Sequence, residues 1–199
     1  MYYDPRTGRH GLPHDPFLAL VAPRPIGWIS TVSADGVPNL APYSFFNAFS
    51  TRPHIVGFAS SGHKDTLRNV AETGHFALNV VGEALARAMN ATSAVVGREV
   101  DEFVLAGLAA RPCRGIDVPR VADAPAVLEC LHLQTVELRD HAGEPADSFL
   151  VLGEVVGIEI DEAILVEGLV DAGRLRHLSR LGYTDYAVVA ETFAMARPK

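Results

Sequence analysis

Two long, largely apolar stretches with period-two patterning constrain the fold of this chain more than any other feature. They run from Ala126 to Leu138 and from Ser148 to Ile160, and they predict two long β-strands. In the first stretch the apolar parity changes after Leu133, which indicates a β-bulge near Gln134. The glycines inside the second stretch are typical of a β-strand that is strongly coiled. Strands of this kind are expected where a sheet curls towards a barrel.

The rest of the chain adds shorter elements of both kinds. Strands are predicted over 26–33, from 37, over 53–60, 75–81 and 186–194, and 44–50 is interpreted as a strand leaving into a loop. Helices are predicted over 16–21, 65–73, 82–89, 101–106 and 171–181, with a loop over 109–126. Many strands, few helices and no β-α-β rhythm favour a mainly β, closed antiparallel barrel with a few peripheral helices over a Rossmann sheet.

Composition narrows the class of protein. The 199 residues suit a single domain, with residues 1–13 as an N-terminal arm, and 48% hydrophobic residues against 21% charged residues indicate a globular protein. A net charge of −7 argues against nucleic acid as a partner. Since no apolar run approaches the ~20 residues that span a bilayer and no signal peptide is recognisable, a cytoplasmic protein without a membrane partner is expected. Cys113 and Cys130 are then expected to be free thiols.

The segment Gly57 to Asn69 has the features of a phosphate-binding turn. An apolar strand ends in Ser60, Ser61 and a glycine, and Lys64 precedes a predicted helix. The first amides of a helix have no intrahelical partner and attract anions, and a lysine supplies a point charge. The sequence therefore predicts a phosphate site here, although an ordinary strand-to-helix turn is the alternative.

Other phosphate, metal and nucleophile motifs are not matched. A P-loop would need lysine directly after the second glycine and a hydroxyl directly after lysine, whereas His63 and Asp65 occupy those positions. The sequence contains no G-x-G dinucleotide fingerprint, no H-E-x-x-H or clustered Cys/His metal motif, and no G-x-S-x-G. No catalytic side chain and no metal site are predicted, and the role of His63 stays open between a turn residue and a ligand contact.

Four longer motifs together resemble the flavin reductase-like family of FMN-binding split barrels. They are Ala22-Pro-Arg-Pro-Ile-Gly-Trp-Ile-Ser-Thr31, Asn39-Leu-Ala-Pro-Tyr-Ser-Phe-Phe-Asn-Ala48, Lys64-Asp-Thr-Leu-Arg-Asn69 and Phe76-Ala-Leu-Asn-Val80. Weaker matches are Met89 to Ser93, Asp101 to Phe103, and Arg180 to Tyr183 with Tyr186. The resemblance implies a six-stranded Greek-key split barrel, a homodimer, and FMN near the dimer interface.

The resemblance also implies which residues hold the flavin. Lys64 and Thr66 would bind the single phosphate, with help from Ser60 or Ser61, and Asp65 would cap its own helix. The candidates for the isoalloxazine ring are Ser30, Thr31, Ser44, Phe45, Phe46 and Asn47, with Arg180 as a further cofactor contact. For Asn47 an Asx-turn, and for one of the two phenylalanines simple packing, are the alternatives.

The implied activity is hydride transfer from NADH or NADPH to FMN, with a flavin-dependent monooxygenase as the partner that would take up reduced flavin. This chemistry needs ring stacking and tuned electrostatics rather than a protein nucleophile. Two other hypotheses remain: an FMN-bound electron carrier resembling flavoredoxins, and a barrel that binds flavin without redox turnover.

Overall fold

The computed structural model describes residues 1–198. The α-helices are short: α1 Phe17–Leu20, α2 Asp65–Thr73, α3 Ala86–Ala91, α4 Glu102–Leu105 and α5 Ala172–Leu175. The strands are β1 Arg24–Pro25, β2 Gly27–Val32, β3 Pro38–Tyr43, β4 Phe46–Thr51, β5 His54–Ser61, β6 His75–Asn79, β7 Ala110–Pro112, β8 Pro119–Val121, β9 Ala126–Arg139, β10 Pro145–Ile160, β11 Leu165–Val166, β12 Leu169–Val170, β13 Leu178–Arg180 and β14 Tyr186–Val188. Turns of 3-10 helix occur at Pro5–Thr7, Glu83–Leu85 and Glu162–Ile164.

Seven strands form one antiparallel sheet in the order β3-β2-β6-β9-β10-β5-β4. The pairs β2–β6 and β10–β5 join strands that are distant in sequence, as in a Greek key. The predicted mainly β, antiparallel fold with few helices is therefore confirmed, although the sheet has seven strands where six were expected. Three small sheets surround it: β1-β13-β14, β7-β8 and β11-β12.

Aromatic contacts in the interior show that the large sheet curls. Tyr43 lies on β3, at one edge of the sheet, and its ring centroid is 4.7 Å from that of Phe58 on β5, next to the other edge. Phe58 is in turn 5.5 Å from Phe76 on β6, an interior strand of the sheet. A flat sheet could not bring these strands together, so the sheet wraps around a common core.

The predicted bulge in the first long strand is present. Leu152 on β10 lies opposite Gln134, whereas the next residue, Gly153, lies opposite His132, so Leu133 is an extra residue on β9. Close packing accompanies the bulge, since a methyl group on Gly153 would lie 2.4 Å from the Phe76 ring. The glycine is needed here for space, in line with its predicted role in coiling.

Buried side chains form two adjoining clusters. One surrounds Trp28, Val81 and Phe103, and the other surrounds Phe58 and Phe76. Trp28 is fully buried, which confirms its assignment to the core, and its indole Nε1 donates to the Thr92 hydroxyl at 2.9 Å. This hydrogen bond attaches the segment after α3 to the central sheet.

Helix α2 begins and ends where the sequence predicts. It covers Asp65–Thr73, and Gly74 follows with a left-handed conformation (φ 75°) and an amide that donates to the Val70 carbonyl at 2.9 Å. Glycine adopts this conformation without the strain of a Cβ atom, which explains the stop. The helix buries Leu67 and Val70 against the sheet.

Three local predictions are wrong. The predicted helix over 171–181 ends at Leu175, because Arg176 is left-handed (φ 46°), and the chain then forms β13. The predicted last strand stops at Val188 rather than continuing to 194. The expected loop over 109–126 contains β7 and β8, whose backbones pair with each other.

Three other features concern the N-terminal segment, the cysteines and the helices. The first 13 residues contain one 3-10 turn, at Pro5–Thr7. Cys113 is half-buried and Cys130 is buried, and both are free. Within residues 1–198, no helix is long and apolar enough to cross a membrane.

Candidate functional site

Lys64 occupies the position immediately before α2, where the phosphate site is predicted. Its backbone is extended (φ −86°, ψ 167°), its side chain is exposed, and no side chain caps the helix within the described residues. Gly62 makes the preceding turn with a positive φ of 74°. The first amides of α2 and the ammonium group of Lys64 are therefore open to an anion.

Asp65 does not cap the helix, contrary to the expectation from sequence. It is the first helical residue, and its carboxylate lies 3.5 Å from the guanidinium of Arg68, one turn further along α2. The carboxylate is thus partly neutralised by its neighbour. No carboxylate lies within ion-pair distance of Lys64 among residues 1–198, so its charge remains available to a ligand.

The hydroxyl groups of Thr31 and Thr66 belong to a buried network. The Asn39 amide donates to Thr31 at 3.0 Å and to Thr66 at 2.9 Å, and the Asn69 amide donates to Thr31 at 3.1 Å. All four residues are buried. The network joins β2, β3 and the first turn of α2, so it fixes the position of the predicted phosphate-binding turn relative to the sheet. Thr31 is thereby occupied inside the protein rather than directed at a ligand.

Ser30 has a similar interior role. It is fully buried, and its hydroxyl accepts from the Asn79 amide at 3.1 Å. The Asn79 side-chain oxygen accepts in turn from the Val121 amide at 2.8 Å. The expected contact between the Ser30 side chain and a flavin ring therefore has no support from the geometry, because this hydroxyl has no exposed surface.

Tyr43 presents an unusual polar atom beside this network. Its side chain is buried, and the hydroxyl has no hydrogen-bond partner within residues 1–198. The hydroxyls of Thr66 and Ser60 flank it without well-formed bonds, and burial raises the pKa of Tyr43 while these two hydroxyls partly offset that effect. A buried hydroxyl without a partner is costly and is expected to gain one when a ligand or water enters.

A cavity of about 290 Å³ adjoins Tyr43 and Lys64. Strand β3, the first turn of α2, the segment after α3 and the start of α4 surround it, and its lining includes Asn39, Tyr43, His63, Lys64, Thr66, Ser93 and Glu102. We call it the anion cavity. Lys64 and Thr66 both line this cavity, although the Thr66 hydroxyl is buried and accepts from the Asn39 amide. Asn39, Tyr43 and Glu102 are not among the site residues predicted from sequence, although all three lie within the motifs that carry the family resemblance.

Glu102 closes one side of the anion cavity. It is buried, and its carboxylate accepts from the backbone amide of Leu40 at 3.0 Å. Burial raises the pKa of Glu102, and the hydrogen bond from Leu40 opposes that shift. The carboxylate satisfies an amide of β3, which lies at the edge of the sheet.

The two serines at the end of β5 differ in environment. Ser60 is fully buried and donates to the Gly62 carbonyl at 3.1 Å, so it shapes the turn before Lys64. Ser61 is exposed at the last position of the strand. Of the two, Ser61 has a side chain that is accessible to a ligand.

The segment 44–47 lies at the start of β4, and its four side chains differ from one another in exposure and contacts. Phe46 packs over Gly27, where an added methyl would lie 2.9 Å from its ring, so Phe46 is a packing residue. Phe45 is 43% exposed, and Ser44 is half-buried. The exposed Asn47 accepts from the Ala48 amide at 2.8 Å, a local contact in agreement with the alternative of a turn-type role.

Arg180 lies on β13 and not at the end of a helix. It faces Arg24 across the strand pair β1–β13, its guanidinium lies 4.5 Å from the Tyr186 ring centroid, and it donates to the carbonyl of Tyr183. Arg24 is buried and lies 6.0 Å from the Phe45 ring. Arg180 is thus a neighbour of Arg24, which in turn lies beside Phe45 of the 44–47 segment. Neither arginine is part of the lining of the anion cavity.

Residues 1–198 contain no group of three or more His, Cys, Asp or Glu side chains placed to hold a metal ion. His63 lines the anion cavity, and its ring lies 4.4 Å from that of Phe149.

Comparison with known proteins identifies the fold and the family. The sequence model described as "Flavin reductase like domain" matches residues 20–179. The chain belongs to the flavin reductase-like family. An uncharacterized protein of Halalkalibacterium halodurans is 36% identical over 91% of this chain and 88% of its own length. The predicted family membership is therefore confirmed.

Solved structures of this family superpose over nearly the whole chain. Nitrilotriacetate monooxygenase component B from Bacillus cereus is similar with a TM-score of 0.89 and 29% identity, covering 98% of both chains. The 2-nitrobenzoate 2-nitroreductase of Pseudomonas fluorescens has a TM-score of 0.82 and 28% identity, covering 96% of this chain and 94% of its own. Flavoredoxin of Desulfovibrio vulgaris, at 22% identity and a TM-score of 0.78 over 87% of this chain and 91% of its own, shares the fold. These likenesses support a flavin-linked oxidoreductase with a split-barrel fold.

Proposed function

We propose that this protein binds FMN and transfers hydride from NADH or NADPH to the flavin. The observation that carries the proposal is the anion cavity, where the cation of Lys64, the open amides of α2 and the unpartnered hydroxyl of Tyr43 converge. A phosphate monoester matches these groups, because it is an anion with several acceptor oxygens. The names of the structural relatives, a monooxygenase component and a nitroreductase, support electron transfer as the chemistry.

In this proposal each group has a defined task. Lys64 and the first turn of α2 would hold the phosphate, and Tyr43 would donate to a phosphate or ribityl oxygen. The exposed Phe45 and backbone groups of 44–47 would border the ring, with Arg24 adding positive charge on that side. Bound FMN supplies the hydride-accepting ring, and the protein orients it and limits access of water.

The phosphate assignment predicts a selective loss of affinity. Lys64→Met should weaken FMN about 10–100-fold, the range for a lost charge-assisted hydrogen bond, and riboflavin much less because riboflavin has no phosphate. Lys64→Arg keeps the charge and should retain most of the FMN affinity. Arg52→Ala is a matched control, since Arg52 is exposed at the opposite end of the β4–β5 hairpin. Equal losses for both flavins would contradict the assignment.

The redox proposal is tested by mixing flavin-loaded protein with NADH or NADPH without oxygen and following the bleaching of the flavin. Reduction by at least one nucleotide is expected. Because hydride transfer requires no protein acid or base, His63→Ala should change the single-turnover rate by far less than the ~10²–10⁴-fold typical of an acid–base residue. Bleaching by neither nucleotide would favour the electron-carrier or the non-redox alternative. A monooxygenase that accepts the reduced flavin is part of the same proposal.

We also propose a homodimer that buries the outer face of the β9–β10 hairpin and β4. Its exposed apolar side chains include Phe49, Val136 and Leu138. Cross-strand pairing places Val136 beside Leu150 on this face, and Phe49 and Leu152 cover Gly57. A continuous apolar face of this kind usually marks an interface.

Light scattering during gel filtration should give the mass of two chains. Val136→Lys combined with Leu138→Lys should shift the protein towards the monomer, because two charges would enter the buried face. Ala142→Lys, at the exposed turn of the same hairpin, adds the same charge outside the interface and serves as the control. A wild-type monomer that still binds FMN tightly would contradict the dimer proposal.

A further inference from the structure

Glu102 is a buried carboxylic acid in the lining of the anion cavity. The residue is 8% exposed, and it lines the cavity together with Lys64 and Tyr43. One carboxylate oxygen accepts from the Leu40 amide at 3.0 Å. Within residues 1–198 the other oxygen has no well-formed hydrogen bond, and only the backbone amide of Glu102 itself approaches the carboxylate from elsewhere. Glu102 therefore has one oxygen engaged with β3 and one that is free for a ligand.

The charges around the cavity oppose an ionised Glu102 beside a phosphate. Within residues 1–198, Lys64 is the only permanently charged cation in the lining, whereas Asp65 and Glu102 are both acidic. Burial raises the pKa of Glu102, and the negative charges of Asp101 and Asp65 raise it further, against the hydrogen bonds from backbone amides. A phosphate monoester would add a charge of about −1.5 to −2 at pH 7. Like charges at close range favour the protonated form of an acid.

A protonated Glu102 has the hydrogen-bonding groups that this position requires. Its carbonyl oxygen can keep the bond from the Leu40 amide, so the edge of the sheet is undisturbed. Its O–H group can donate to a phosphate oxygen, and O–H···O⁻ bonds of this kind are short and strong. The unpartnered hydroxyl of Tyr43 lines the same cavity. Donors from β3, from α4 and from the start of α2 would then converge on one phosphate.

We propose that Glu102 binds the flavin phosphate in its protonated form, so that FMN binding to the ionised site takes up one proton from solvent. The proton goes to the free carboxylate oxygen of Glu102. The inference rests on the proposed function, since the phosphate has to occupy the anion cavity. Riboflavin has no phosphate, so its binding should not be linked to this proton.

The test compares the wild-type protein with Glu102→Gln by titrating FMN and riboflavin and following flavin fluorescence. Glutamine keeps the shape and the acceptor for Leu40, and it carries a donor at every pH. The ratio of wild-type to variant dissociation constants for FMN should rise at least fivefold from about pH 5.5 to pH 8, with a limit of about tenfold per pH unit. For riboflavin the ratio should stay constant.

Other titrations do not enter this ratio. The phosphate of FMN and the side chains of His63, Lys64 and Asp65 are the same in both measurements, so their protonation cancels. Glu99→Gln is the matched control, because it removes the same charge from an exposed residue outside the cavity lining. Its ratio to wild type should not change with pH.

A measurement on the wild-type protein covers the case in which Glu102→Gln does not fold. With ¹³C-labelled glutamate, the infrared difference spectrum should gain the C=O band of a protonated carboxylic acid when FMN binds at neutral pH, and not when riboflavin binds. A ratio that is independent of pH, or the absence of this band, would overturn the proposal while leaving the FMN site intact. Failure of the wild-type protein to bind FMN, or full FMN affinity in Lys64→Met, would instead contradict the proposed function.

Discussion

Replacing Thr92 by valine should destabilise the protein through one buried hydrogen bond. Thr92 is 2% exposed, and its hydroxyl accepts from the indole Nε1 of Trp28 at 2.9 Å and donates to the Met89 carbonyl at 2.8 Å. Valine keeps the shape of threonine but offers no acceptor. The indole N–H of the fully buried Trp28 would then have no partner.

The expected cost is about 1–3 kcal/mol, the penalty for leaving a buried donor unsatisfied. The penalty arises from the unsatisfied indole N–H, so Thr92→Val should cost much less in a protein that already carries Trp28→Phe. A double-mutant cycle of Thr92→Val and Trp28→Phe should therefore give a coupling energy of about 1 kcal/mol or more, which exceeds the error of additivity for unrelated sites.

The assay is urea unfolding followed by far-ultraviolet circular dichroism, with all four proteins at one concentration because association contributes to stability. The reasoning is refuted if Thr92→Val costs the same with and without Trp28. Thr92→Ser provides a further check, since it keeps the hydroxyl and loses only a methyl group, worth about 1 kcal/mol.

Two further predictions concern packing and pH. Gly153→Ala should lower the free energy of unfolding by about 1–3 kcal/mol in the same assay, because the added methyl would lie 2.4 Å from the Phe76 ring in a closely packed core. An unchanged free energy of unfolding would show that the core relaxes around the methyl group and would contradict the prediction. Since burial raises the pKa of Glu102 above its usual 4.5, the contribution of this group to stability is greatest below that pH and is lost as the pH rises through the folded-state value. Glu102→Gln should therefore gain stability relative to wild type between pH 4 and pH 8, and a constant difference across that range would contradict the assignment.

Features set by local sequence were predictable. The start of α2 follows from the turn before it and its end from Gly74, and the bulge at Leu133 follows from the change in apolar parity. These elements are determined by residues that are neighbours in the chain. The predictions that failed near 171–181 depended on Arg176, an ordinary residue that adopts a left-handed conformation without a sequence signal.

The direction of side chains in the central strands could not be predicted. Ser30 and Thr31 are adjacent on β2 and so point to opposite faces, yet both are fully buried because the strand is covered on both sides. Sequence alone gave no means to see that Asn79 and Asn39 would occupy their hydroxyls. Asn79 comes from β6, far along the chain from Ser30, and Asn39 reaches Thr31 across the β2–β3 strand pair, so both contacts depend on how the strands pair.

The same buried network explains how the proposed flavin site could be well ordered. Asn39 ties the first turn of α2 to β2 through Thr66 and Thr31, and the chain runs directly along β3 from Asn39 to Tyr43 and then to Phe45. The proposed phosphate anchor and the proposed ring border are therefore connected through one strand and one buried amide rather than through flexible loops. Since hydride transfer depends on holding two rings in a productive arrangement, rigidity of this connection is the property that such an enzyme requires.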